Sequence, residues 1–233
     1  MTTIPDRLQQ VKLRISTACQ TAGRDPATVG LLAVSKTQAP EAVREAHAAG
    51  QCAFGENYIQ EGVEKILSLR DLPLVWHMIG PVQSNKTRVV AEHFDWVQSV
   101  DRLKTAERLS AQRPGHLPPL NVCLQVNIDQ GPNKSGVAPE AALALARGIS
   151  ALPRLRLRGL MALPEFAPDF IAQKAVFTRA QALFDHILAA QLPGWPEFDT
   201  LSLGMSADLE AAVASGSTLV RVGTAVFGER AAR

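Results

Sequence analysis

DTLSLGMSADLEAAVASGSTLVRVGTAVFG, residues 199–228, decides how the rest of the chain is read. A short apolar run (DTLSLGMS, 199–206) leads into ADLEAAVASG, an Ala-rich stretch that favours helix and closes on Gly216, where a left-handed C-terminal cap is easiest for glycine. A second β-branched run, TLVRVGTAVFG (218–228), follows at once. Strand, helix and strand in so few residues is the signature of parallel strands joined by helical crossovers.

Working outward, the same alternation recurs along the chain. Six further runs read as strands: VGLLAVSK (29–36), CAFGENY (52–58), LVWHMIGP (74–81), FDWVQSV (94–100), LNVCLQVNI (120–128) and RLRGLMAL (156–163). The stretches between them read as helices. PEAVREAHAAG opens with Pro40 and closes on Gly50, the usual asymmetry of helix ends. Segment 57–70 places Ile59, Val63, Ile66 and Leu67 on one face. Ser84 is positioned to cap the segment running to His93, and Asp101 to cap DRLKTAERLSAQR. Segments 139–151 and 168–190 are rich in Ala and Leu, and a further amphipathic helix, about 5–22, precedes the first strand. Eight strand–helix units in 233 residues close naturally into a (β/α)8 TIM barrel with an extra N-terminal helix, an α/β fold. An open doubly wound sheet is the alternative. RPGHLPP (113–119) and LPGWPE (192–197) read as loops that separate no change in composition, so one domain, 1–233, is expected.

Composition narrows the function classes. The sequence is 46% apolar and 20% charged, which suffices for a full core. A net charge of +2, with no aromatic-studded basic run, gives no sign of a nucleic-acid partner. No stretch has the length and apolar character of a membrane span or a signal peptide, so a cytoplasmic protein is expected. The three cysteines (Cys19, Cys52, Cys123) are odd in number and widely spaced, which points away from both a disulfide framework and a zinc knuckle. No GxGxxG, Walker A or GxSxG motif occurs, and no two histidines lie three or four apart, as a helical zinc pair would require.

Chemistry in such barrels collects at the C-terminal ends of the strands. Lys36 is the sharpest feature there. It follows LLAV, so desolvation should lower its pKa and make the neutral amine available for Schiff-base formation. A rim ion pair, for example with Glu56, is the other use of such a lysine. Ser206 either caps the following helix or offers its hydroxyl and amide to a phosphate. Gly223 permits close backbone approach, and Thr224 adds a hydroxyl. Arg221 sits in an apolar strand and needs a partner, either a ligand acceptor or a carboxylate such as Asp208 or Glu229. Asn57 is a polar lining candidate, and Tyr58 a start for the next helix. His77 reads as a hydrogen-bonded structural residue, Lys86 and Arg88 as an exposed helical face, and Lys134 as part of a solvated loop or a lid.

Taken together, AVSKTQ (33–38), FGENYIQE (54–61), WHMIGPVQSNK (76–86), QVN with NKSG (125–136), LRGLMALP (157–164) and the stretch 199–228 closely resemble the pyridoxal 5′-phosphate (PLP) homeostasis protein family, also called YggS/PROSC. The context of Lys36 and the RVGT segment also resemble the barrel domain of alanine racemase. The resemblance implies an intracellular PLP (vitamin B6) homeostasis protein that holds PLP as an internal aldimine on Lys36. It implies a phosphate held around Ser206, Gly223 and Thr224, Arg221 facing the pyridine nitrogen, and Asn57 lining the pocket. The loop IDQGPNKSG is less acidic than the family's version, and Lys134 stays aligned through KSG.

A PLP enzyme uses the ring as an electron sink. An arginine at the pyridine nitrogen disfavours its protonation, since two nearby positive charges repel. Racemisation needs an acid or base on each face, and in alanine racemase a tyrosine of a second, β-rich domain serves one of them. This sequence ends at Arg233, just past the eighth strand, so no such domain is expected, and its one tyrosine, Tyr58, belongs to the early barrel. The expectation is therefore a monomeric carrier with no turnover. It would buffer PLP or deliver it to apo-PLP enzymes, with no nucleic-acid or membrane partner. A single-domain amino-acid racemase and a Schiff-base aldolase are the alternatives.

Overall fold

In the computed structural model, each of the eight apolar runs forms a strand, and all eight pair in parallel around a closed ring. The structure describes residues 2–131, 134–165, 167–192 and 197–228. The chain starts with α1 (Ile4–Thr21) and then alternates: β1 (Gly30–Val34), α2 (Pro40–Ala48), β2 (Ala53–Glu56), α3 (Ile59–Ser68), β3 (Val75–Met78), α4 (Thr87–His93), β4 (Trp96–Val100) and α5 (Leu103–Gln112). It continues through β5 (Leu120–Val126), α6 (Pro139–Ser150), β6 (Leu155–Ala162), α7 (Phe170–Ala189), β7 (Thr200–Ser202), α8 (Leu209–Ala214), β8 (Leu219–Val222) and α9 (Thr224–Phe227). Pairing of β8 with β1, from Gly30 opposite Leu219 to Ala33 opposite Val222, closes the barrel. The open doubly wound alternative is thereby excluded.

The strands are short and buried on both faces, which is why they read as continuous apolar runs rather than alternating ones. α1 is fixed locally. Thr3 and Asp6 form a reciprocal capping box, and Ile4, Leu8, Val11, Ile15 and Ala18 bury one face. Gly216 ends the turn after α8 with φ 89°.

Several local expectations differ from the structure. Ser84 does not cap α4; it starts a single 3-10 turn, and its carbonyl accepts from the Thr87 hydroxyl. Asp101 does not cap α5, because its carboxylate pairs with Arg102 instead. Ser206 does not cap α8, whose N-cap is Asp208. The last run ends as a strand at Val222 and turns helical from Thr224. On α3, Leu67 is exposed, while Lys65 is buried in the place expected of an apolar residue. The loop prediction at 192–197 falls mainly on residues outside those described.

Candidate functional site

The C-terminal mouth of the barrel holds a cavity of about 300 Å³. All six residues singled out from the sequence line it: Lys36 past β1, Asn57 past β2, Ser206 past β7, Arg221 on β8, and Gly223 and Thr224 just beyond β8. Three larger cavities, of about 740, 620 and 500 Å³, lie outside the barrel, two along α1 and one beside α5. Size alone favours those three, but they gather no convergence of strand ends, only Thr224 and Ala225 past β8 in one of them, and strand ends are where a barrel concentrates its chemistry. The lining also includes Gln38, Ile79, Leu163, Met205, Ala207 and Gly228, none of which stood out as chemical groups. Ile79 and Leu163 follow directly on β3 and β6, so their position past a strand end was the available signal.

Gly223 brings the end of β8 against the end of β1. A Cβ there would stand 3.2 Å from the Val34 carbonyl oxygen, tighter than a side chain normally tolerates. Ser206 lies on the loop that leads into α8 and Thr224 opens α9, and the first amides of a helix lack carbonyl partners within it.

Arg221 is buried, and neutral oxygens hold it. It donates through Nη1 to the Ser202 carbonyl (2.7 Å) and Ser202 Oγ (2.6 Å), and through Nη2 to the Ala162 carbonyl (2.9 Å). It makes no ion pair among the described residues; Asp208 acts on it only as a nearby charge. Glu229, the other carboxylate considered, lies outside the described residues. Burial lowers the guanidinium pKa to about 10, so it stays charged at neutral pH.

From Arg221 a line of donors crosses the barrel interior. Ser202 Oγ donates to Gln98 Oε1 (2.7 Å), and Gln98 Nε2 donates to His77 Nδ1 (2.9 Å). The cation sets the direction of the whole line: Ser202 accepts from Arg221, so its own proton must point at Gln98, which fixes the amide and leaves His77 Nδ1 as acceptor. His77 must then be neutral. Burial, aided by Arg158, lowers its pKa to about 3, and its ring stacks on Trp96 with centroids 4.9 Å apart. His77 is thus a structural residue, as expected.

Beside the mouth, Glu56 does not pair with Lys36. It is engaged by Lys65 Nζ (2.9 Å) and the Ser35 hydroxyl (2.6 Å). Burial raises the Glu56 pKa, opposed by Lys65 and Ser35. Sequence inspection missed this cluster, although Glu61 and Lys65 stand four apart on α3, a spacing that brings them together. Lys134 reaches back to donate to the Leu163 carbonyl at 2.9 Å, which ties its loop to the mouth. No cluster of three or more metal-ligating side chains occurs among the described residues.

The cavity suits a small anionic aldehyde. It has an amine on one wall, hydroxyls and backbone amides on the neighbouring wall, a fixed cation, and apolar Ile79, Leu163 and Met205 to cover a flat ring.

Residues 7–231 match the profile of the family described as "Alanine racemase, N-terminal domain". A pyridoxal phosphate homeostasis protein of Pseudomonas aeruginosa is 60% identical, over 99% of this chain and 97% of its own length. The protein of the same name from Escherichia coli is 51% identical over 99% and 98%. Among solved structures, PipY of Synechococcus elongatus, determined with PLP bound, superposes with a TM-score of 0.84 at 38% identity, covering 97% of this chain and 100% of that one.

Proposed function

Because the chain belongs to the pyridoxal phosphate homeostasis protein family, we propose that it binds PLP at the barrel mouth and takes part in intracellular PLP homeostasis, buffering the cofactor or delivering it to apo-PLP enzymes. One observation carries this: six strand-end residues, including one amine and one permanent cation, line a single cavity whose polar and apolar walls match an aldehyde, a ring and a phosphate. Lys36 supplies the nucleophilic nitrogen and forms a Schiff base with the aldehyde. Ser206, Gly223 and Thr224 hold the phosphate, Asn57 orients the ring from the β2 side, and Arg221 faces the ring nitrogen.

When bound, PLP offers an electron sink to any amine attached to it. The residues around it do little to exploit that. Arg221 keeps its charge and lends no proton acceptor to the ring nitrogen. Among the described lining residues, Lys36 carries the one amine and is the one candidate proton carrier; the others are Arg, amides, hydroxyls and apolar groups. Tyr58 stands at the start of α3, 58% exposed, and does not line the cavity. A racemase needs a second such group on the opposite face. These features support a carrier without turnover. The six residues come from the strand ends of a single barrel, so a monomer suffices for binding, with residues 1–233 acting as one PLP-binding domain. No described helix is long and apolar enough to cross a membrane, and the three cysteines are free, which fits a reducing cytoplasm.

The test uses the purified chain and PLP. The wild type should develop a visible absorption band that is lost in Lys36→Ala. It should also hand PLP to an apo-enzyme at a rate distinct from that of free PLP. Lys36-dependent interconversion of amino-acid enantiomers would replace the carrier with a racemase, and a colourless protein would remove PLP altogether.

A further inference from the structure

Lys36 lies in a turn that its own sequence does not favour. Thr37 has φ 64°, a left-handed conformation that a β-branched residue rarely adopts, so neighbouring groups must impose it. The backbone closes the turn itself, Gln38 N–H donating to the Ser35 carbonyl at 3.0 Å, and two side chains of one helix fasten it further. Lys65 Nζ on α3 donates to the Ser35 carbonyl at 2.6 Å, and the Glu61 carboxylate on the same helix accepts from the Thr37 amide. These are the carbonyl of the peptide unit before Lys36 and the N–H of the one after it, so both peptide units that orient the Lys36 side chain are fastened.

The Lys65 ammonium has three protons and meets three acceptors: the Ser35 carbonyl, Glu56 Oε1 (2.9 Å) and Glu61 Oε1 (2.6 Å). Glu56 closes the loop by accepting from the Ser35 hydroxyl. Gly62 brings the helix close enough, since a Cβ there would lie 2.7 Å from Phe94 Cζ and 3.2 Å from Glu56 Cβ. Buried ion pairs add little net stability compared with apolar packing, yet they specify geometry. None of these three side chains lines the cavity, so their effect on a ligand must pass through the Lys36 backbone.

We propose that Lys65 and Glu61 are positioning residues for Lys36, fixing the direction in which its amine enters the cavity and so the residence time of an aldehyde ligand. The inference rests on Lys36 as the residue that carries PLP. In that step the neutral amine adds to the aldehyde carbon, the C=O bond becomes C=N, and the oxygen leaves as water; release reverses it.

The experiment compares full-length wild type with Glu61→Gln, Lys65→Arg and Lys65→Met, using PLP as probe. Three quantities are read: the rate of PLP loss to an excess aldehyde scavenger, the visible circular dichroism of the bound cofactor, and the thermal midpoint of the PLP-free protein. Loss of one charged hydrogen bond from the turn should speed release about tenfold in Glu61→Gln and weaken the dichroic band. Lys65→Met should exceed that, and Lys65→Arg, which keeps the charge and donors, should recover most of the wild-type rate. Should Lys65→Met fail to fold, Glu61→Gln decides, since its carboxylate is partly exposed and outside the core. Release rates and dichroism equal to wild type in Glu61→Gln, even with a lowered thermal midpoint, would reduce the cluster to a structural element and overturn the proposal. Borohydride reduction and peptide mass keep the two levels apart. PLP fixed to a residue other than Lys36 in the wild type defeats the underlying assignment, whereas Lys36 labelled in every protein with unchanged release defeats only the positioning role.

Discussion

Two buried cations flank the mouth of this barrel, and they are held in opposite ways. Lys65 has two carboxylates within hydrogen-bonding distance, so its charge is spent locally on a rigid knot. Arg221 is held by two carbonyls and a hydroxyl, so its geometry is fixed while its charge meets no carboxylate partner among the described residues and faces the cavity it lines. The contrast separates two tasks that a cation can do near a site: shaping the backbone, which calls for counter-charges, and projecting a field, which calls for neutral dipoles.

Lys65→Met strikes this contrast hardest. It strands Glu56, which is fully buried and whose Oε2 already lacks a partner among the described residues, and should cost about 3–5 kcal/mol at pH 8. Burial already raises the Glu56 pKa, and the variant also loses the opposing attraction of Lys65. The folded variant therefore binds a proton more tightly than the unfolded chain. Its stability should rise as pH falls through the raised folded pKa, with the penalty gone below the ordinary carboxylate range. Urea unfolding at several pH values measures this, and a pH-independent loss would mean that Glu56 is not the stranded charge. Ser202→Ala probes the other cation. It removes one acceptor of Arg221 and the donor to Gln98, for an expected loss of about 1–3 kcal/mol; a loss near zero would show that the two carbonyls suffice.

His77 sharpens the comparison, because the neutral line behind Arg221 requires it to be unprotonated. Its folded pKa of about 3 lies below the unprotonated-to-protonated midpoint of 6.5 expected in the unfolded chain. Its contribution is therefore fully present above that unfolded value and is lost as pH falls toward 3, with a slope of at most about 1.4 kcal/mol per pH unit. His77→Phe should flatten this part of the stability profile, and NMR of the wild type should show no titration of the His77 imidazole between pH 5 and 8. The smallest effect is expected at Leu67, exposed on α3 although the apolar pattern placed it inward. Leu67→Gln should change stability by less than about 0.5 kcal/mol in the same urea assay.

What was legible in the sequence follows from which interactions are local. All eight strands could be found because parallel strands buried on both faces leave unbroken apolar runs, and LLAV or LVRV needs no partner to be recognised. The lining residues at the cavity were legible because a barrel gathers its strand ends at one mouth. Helix starts were less legible. Ser84, Asp101 and Ser206 are all good caps in isolation, but the paths of the loops place Lys86, Arg102 and Asp208 at those positions instead. The Lys65 knot and the line from Arg221 to His77 join side chains from different elements. Their partners appear only once the ring has closed.

The pairing of β1 with β8 has a consequence for how the protein comes into being. The amine wall of the cavity belongs to the first strand and the hydroxyl wall to the last, so the two are made at opposite ends of translation. A chain made only as far as β6 presents Lys36 without Ser206, Gly223 or Thr224, and a long-range closure of this kind comes late in folding. On the proposed function, the two walls act together only once β8 has paired with β1.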